Sequence, residues 1–172
     1  MVTASSKQLA SSIEKNKEIS INHQKLIDAT IETIAKRGLA DTTISHVAKQ
    51  AKVSQGYANF RFKSKENLLL SSLQFLSDEY KKSWQKIFED EHLDPVDRLL
   101  KICENDFSKK IANRNKISVW IAFYSEVKFR PSYLSVCQKQ DEIYLQQMEK
   151  LIDEINTKAN QKSLSAIEIS ES

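Results

Sequence analysis

Apolar residues in this chain recur at intervals of three and four, so the elements it predicts are helices. Leu26, Ile27, Thr30, Ile31 and Ile34 mark one face of a first helix running from an N-cap at Asn22 to Arg37. Gly38 supplies a left-handed stop, and Leu39 packs back. Thr43 caps a short helix, Ile44–Ala51, whose Ile44, Val47, Ala48 and Ala51 share a face at i, i+3, i+4 and i+7. Lys52-Val53 makes a turn. Ser54 caps a second short helix, Gln55–Arg61, which needs neighbours to hold it. From Ser64 to about Phe88 a long helix carries Leu68, Leu69, Ser72, Leu76, Tyr80, Trp84 and Phe88 at helical spacing.

Asp94-Pro95, an N-cap and first-position pair, opens a helix to about Lys110 that is expected to bury Leu99, Leu100, Cys103 and Phe107. Residues 113–129 are apolar on more than one face and are expected near the centre of a second domain. After Arg130-Pro131, Ser132 caps a last amphipathic helix to about Asn156. Residues 1–20 are polar and Ser-rich, and read as a flexible arm whose Lys7, Lys15 and Lys17 suit phosphate or a minor groove.

Composition narrows the class. Two glycines and two prolines in 172 residues leave few places for hairpins, so the fold is expected to be all-α. The organisation expected is a flexible arm (1–20), an N-terminal three-helix helix-turn-helix domain (21–66), and a helical bundle (67–172) joined to it by the long helix. Residues 1–66 hold 11 Lys/Arg against 6 Asp/Glu, and the remainder 15 against 17, which places the basic character at one end. No run near 18 apolar residues and no secretory segment is present, so a cytoplasmic protein without a membrane partner is expected. Cys103 and Cys137 lack metal-type clustering and are expected to be small core hydrophobes. His23, His46 and His92 do not fall at ligand spacings, and no nucleophile–base pair or Gly-rich phosphate loop is evident. No catalytic residue, metal or cofactor is therefore assigned.

Two short helices crossing over a tight turn are the geometry whose second helix fits the DNA major groove. Ala48 is small where those helices must meet, Val53 plugs the turn, and Ala58 and Phe62 pin the second helix from behind. That leaves Gln55, Gly56, Tyr57, Asn59, Phe60 and Arg61 facing outward. Gln and Asn can pair with adenine, Arg with guanine, and aromatic rims with the thymine methyl. Thr42, Thr43, Ser54, Ser64 and Lys65 are the candidate phosphate contacts, the last two beside a helix N-terminus.

With the preceding helix, this stretch resembles the N-terminal domain of TetR-family transcriptional regulators. Leu26-Ile27-Asp28-Ala29, Gly38, Thr42-Thr43, Val47-Ala48, Ala51, Val53-Ser54, Gly56, Phe60, Phe62 and Ser64–Leu69 carry the likeness. Over residues 22–150, with Trp120-Ile121-Ala122-Phe123 and the Gln/Glu-rich helix that follows, it is similar to the BetI-like, choline-responsive branch. Two positions depart: Lys52 stands where the family usually has Gly, and Arg61 where many members have His. A left-handed residue is costlier as Lys than as Gly, so the turn is either strained or just short of that conformation.

The resemblance implies a repressor that binds a palindromic double-stranded operator as a homodimer and releases it on binding a small-molecule inducer. The BetI-like resemblance suggests a quaternary amine as that inducer. It also implies two further long helices for dimerisation. Here Ser163–Ile169 looks like the opening of the first of them, giving the expectation of a C-terminally truncated domain. Trp84, Phe107, Trp120, Phe123 and Tyr124 are the candidate ligand pocket, although periodicity alone reads equally as a dry aromatic core. A rival reading is a helical ligand- or partner-binding protein that keeps the scaffold but has impaired operator binding.

Overall fold

Seven helices, with no strand among the described residues, carry the chain in the order α1 (Ala4–Arg37), α2 (Ile44–Ala51), α3 (Gln55–Phe62), α4 (Lys65–Phe88), α5 (Pro95–Asp106), α6 (Arg114–Glu126) and α7 (Pro131–Ser170). This computed structural model describes residues 4–170, with side chains described between Glu18 and Gln161, Ile19 excepted. The fold is an all-α one: a helix-turn-helix region, α1–α3, followed by the long α4 and a helical bundle.

The local signals act where the sequence places them. Thr43 accepts from the His46 N–H at the start of α2, and Ser54 from the Tyr57 N–H at the start of α3. Asp94 caps α5 through the Val96 N–H, with Pro95 in the first turn. Gly38, at φ +76°, ends α1, and its N–H donates to the Ile34 carbonyl at 2.7 Å. Lys52 adopts the full left-handed conformation (φ 55°, ψ 39°), so the turn takes the strained alternative, at about 1–2 kcal/mol.

Two compact units form. One gathers the chain up to Phe75 with Arg114–Val127; the other gathers Leu76–Asn113 with Lys128 onward. In the first, α1 packs on α2 and α6, and α2 on α3. Leu26, Ile27, Thr30, Ile31 and Ile34 are all buried, as their spacing predicts. The buried Thr30 hydroxyl is satisfied by donating to the Leu26 carbonyl at 2.6 Å. The second unit is built on Trp84, Phe88, Ile102 and Leu151, with Tyr80, Tyr144, Met148 and Ile155 packed against them. Its buried polar groups are paired. Tyr80 and Tyr144 donate to opposite oxygens of Asp106 at 3.2 and 2.8 Å. Arg98 donates to the Phe88 carbonyl at 3.0 Å and pairs with Glu154.

Several boundaries and faces differ from the sequence reading. Helix α1 begins at Ala4, so Asn22 lies inside it and the helix runs through the stretch read as an arm. No Gly or Pro interrupts Ala4–Arg37, which is rich in good helix formers. The side chains of Lys7, Lys15 and Lys17 lie outside the described residues. Helix α5 stops at Asp106, four residues early, because the Asn105–Ser108 run favours side-chain hydrogen bonds over helix. It also buries a different face: Arg98 and Ile102 are inside, while Leu100, Cys103 and Phe107 are exposed. Helix α6 belongs with the first unit and buries Val119 and Phe123, whereas the sequence places it at the centre of the second domain. Helix α7 continues without a break beyond Asn156 to Ser170, because nothing after Pro131 supplies a stop. Ser163–Ile169 is thus part of α7, and its side chains lie outside the described residues.

Candidate nucleic-acid interface

Helix α3 is eight residues long and is held from one side. Ala58 is fully buried and Phe62 4% exposed, four residues apart, and His23 of α1 stacks on Phe62 at 5.2 Å. Burial, with the nearby positive charge of Arg61, holds the His23 pKa below its ordinary value, so the imidazole packs as a neutral ring. The opposite side is open. Gln55, Gly56, Asn59, Phe60 and Arg61 are exposed, and Tyr57 is half-buried. Phe60 keeps 81% of its surface in solvent, a large apolar ring among polar groups. No heavy atom comes within 4 Å of a Cβ built at Gly56, so the space over the first turn is unoccupied.

Three hydroxyls ring this helix, each a cap. Thr43 accepts from His46, Ser54 from Tyr57, and Ser64 from Asn67, all at 3.1 Å. A hydroxyl that accepts from a backbone N–H still has its own O–H to donate, so capping leaves each a donor for a phosphate oxygen. Thr42 does not fit the role assigned to it. It is fully buried and donates to the Gly38 carbonyl at 2.7 Å, closing the loop after α1. Lys65 is committed in part, since its Nζ donates to the Ala40 carbonyl at 2.6 Å.

Other residues position the surface without any periodic signal in the sequence. Gln50 donates to Glu32 at 2.6 Å, fixing α2 on α1. Asn67 donates to the Phe62 carbonyl at 3.1 Å, holding the end of α3 to the start of α4. After Phe62 the chain makes a three-residue turn: Ser64 N–H donates to the Phe62 carbonyl at 2.7 Å, with Lys63 at its centre (φ 64°, ψ −34°).

The five candidate pocket residues are divided between the units. Trp84 is in the second core, and Phe107, in the same unit, is 85% exposed. Trp120, Phe123 and Tyr124 are on α6 in the first unit, with Trp120 and Tyr124 rings 6.0 Å apart. The aromatic cluster that does form is Tyr80, Trp84, Phe88 and Tyr144, with ring centroids 5.5–6.5 Å apart. The side chain of Asp106 lies against its two tyrosines. Burial first, and Asp106 among the further causes, pushes both tyrosine pKa values up, so both stay neutral donors. Among the described residues no group of three or more His, Cys, Asp or Glu could hold a metal, and no helix is long and apolar enough to cross a membrane.

The fold and this surface define an all-helical protein with a helix-turn-helix at its N-terminal end. Residues 26–71 match the family model described as bacterial regulatory proteins, tetR family, and the N-terminal domain is therefore of that type. The chain is 28% identical over 122 residues to the HTH-type transcriptional regulator BetI of Stenotrophomonas maltophilia, covering 71% of this chain and 62% of the relative. It is 32% identical over 111 residues to BetI 1 of Chromohalobacter salexigens, covering 64% of this chain and 55% of that one. The chain thus spans a little over half the length of these curated relatives.

Two solved structures share the fold. A proposed transcriptional regulator from Pseudomonas aeruginosa PAO1 superposes with a TM-score of 0.71 at 18% identity, covering 87% of this chain and 74% of its own. Another, from Saccharomonospora viridis in complex with choline, gives 0.67 at 20% identity, covering 79% and 70%.

Proposed function

We propose that this protein is a sequence-specific DNA-binding transcriptional regulator, a ligand-responsive repressor that acts as a homodimer on a palindromic operator. The observation that carries the reading is the one-sided α3: Ala58 and Phe62 fully used as anchors, with Gln55, Asn59, Phe60 and Arg61 presented outward. Such a face suits a major groove, where these groups read base edges and the thymine methyl. Tyr57 joins them at its exposed edge. Thr43, Ser54 and Ser64 lend hydroxyl donors to the flanking phosphates, with Lys65 alongside. The tetR-family match over this segment supports the same assignment.

The inducer we propose is a quaternary amine. Tyr80, Trp84 and Tyr144 offer aromatic faces, and Asp106 a nearby carboxyl, which is the chemistry such a cation needs. Trp120, Phe123 and Tyr124 are the second group of aromatics on which it would be sought. The choline-bound S. viridis neighbour and the BetI relatives favour that ligand class. Helix α4 begins beside the DNA-reading helix and continues into the second unit, so a ligand-induced tilt of α4 would change operator affinity.

The test is fluorescence anisotropy with the duplex upstream of the protein's own coding region and a shuffled duplex of equal composition. Tighter and steeper-than-one-to-one binding to the first is the expected result. Equal affinity for both would remove the operator assignment. Choline added to the native complex is expected to weaken it, and unchanged affinity would remove the inducer assignment.

A further inference from the structure

Two lysines bracket α3, and both occupy backbone conformations that favour glycine. Lys52, in the turn before the helix, is left-handed at φ 55°, and Lys63, in the γ-turn after it, has φ 64°. They are the only non-glycine residues with positive φ among those described. Both side chains are exposed, and neither ammonium has a carboxylate or carbonyl partner among the described residues. Lys65, two residues further on, has its ammonium on the Ala40 carbonyl instead.

The local fold does not call for lysine at either place. A cation near a helix C-terminus is favourable, but Lys49 in the last turn of α2 and Arg61 in that of α3 already supply one. Glycine would satisfy both turns without the steric conflict of a Cβ. The strain is therefore retained for something outside the chain, and an unpaired ammonium at the rim of a DNA-reading helix fits phosphate. Eight helical residues span about 12 Å, which is about the width of the major groove, so cations at both ends of α3 lie within side-chain reach of the phosphates bordering it.

We propose that Lys52 and Lys63 are a pair of phosphate clamps that seat α3 in the groove. This inference rests on the DNA-binding reading above and adds two contacts that periodicity and capping do not reveal.

Replacing each lysine with glycine separates the two roles. The probes are the duplex upstream of the protein's own coding region and a 25-base-pair mixed-sequence duplex, titrated by anisotropy from 50 to 200 mM KCl with the full chain. Lys52→Gly and Lys63→Gly should each weaken binding to both duplexes several-fold at the lower salt. Each should also lower the slope of log K against log salt by about 0.9, the loss expected for one phosphate contact. The same variants should raise the thermal midpoint, because glycine relieves the turn. Lys52→Arg and Lys63→Arg should keep the wild-type slope, and Lys82→Ala, on the exposed side of α4, should change neither quantity.

If a glycine variant misfolds, Lys52→Asn and Lys63→Asn, which tolerate the left-handed region, carry the same salt-slope comparison. Wild-type slope and affinity in the glycine or asparagine variants would overturn the clamp assignment while leaving the regulator reading intact. Absence of wild-type binding to either duplex would overturn both.

Discussion

The two units of this chain are stabilised in different ways. The first is held by aliphatic side chains on short helices, each started by a hydroxyl cap one or two residues upstream: Thr43, Ser54, Ser64. The second is held by an aromatic cluster threaded with buried polar groups, and its partners are far apart in sequence: Phe88 with Arg98, Arg98 with Glu154, Tyr80 with Asp106 and Tyr144. Local rules specify the first almost completely. The second depends on pairings that become visible only when α4, α5 and α7 come together. A surface that reads DNA needs a rigid frame, which local caps provide. A helical core that responds to a ligand needs several arrangements of similar energy, and aromatic and polar contacts can be exchanged for one another more readily than interlocked aliphatic ones.

The strongest attack on this contrast is Trp84→Ala, which empties the largest fully buried side chain of the second core. A loss of about 3–5 kcal/mol is expected by urea denaturation. A much smaller loss would mean that the aromatic cluster is not what holds that unit together.

Arg98→Ala should follow, at about 2–4 kcal/mol, because it leaves the Phe88 carbonyl without its partner and Glu154 without its cation. Arg98→Met keeps the volume, and adding Glu154→Gln should recover part of the loss. Additive effects in that double variant would show the pair to be uncoupled.

In the first unit, Gly56→Ala is predicted to stabilise the fold by about 0.5–1 kcal/mol, since the space is open and alanine is the better helix former. Operator affinity should nonetheless fall, because the added methyl occupies the side facing DNA. A gain in stability with unchanged affinity would place DNA further from that turn than proposed.

The smallest effect concerns His23. Its folded pKa is lowered, so the folded state binds fewer protons than the unfolded one. The stability it contributes is complete above the unfolded value of 6.5 and declines as pH falls from there through the lowered folded value. His23→Phe should flatten that acid limb in thermal melts from pH 7.5 to pH 5, and an identical pH profile would exclude His23 as its source.

How far the sequence foretold the structure follows the same contrast. The caps at Thr43, Ser54 and Asp94, the stop at Gly38 and the buried face of α1 are each dictated within a few residues, and each lies where the pattern puts it. The faces of α5 and α6 are not. Counting Arg98 as a surface residue turns α5 by nearly a third of a revolution, because its guanidinium finds a carbonyl and a carboxylate that no local window contains. On α6, Ile121 is 65% exposed in spite of its apolar neighbours, because the helix rests on α1 through Val119 and Phe123. Thr42 fails as a phosphate contact for a related reason: a threonine beside a loop was read as accessible, and the loop closes over it. The outward set on α3 was legible because burial of Ala58 and Phe62 fixes its phase. Lys52 and Lys63 escaped notice because their significance is a backbone angle.

The two cysteines have a practical consequence. Cys103 is exposed on α5 and Cys137 is buried at 2% on α7, so the chain carries one open thiol and one closed thiol. An aromatic disulfide reagent should therefore consume one equivalent at once and a second only when the surroundings of Cys137 open. The delay between them is a built-in clock for local unfolding of the second unit, readable by absorbance without altering a residue. Run with and without choline, it would report whether the ligand slows that opening.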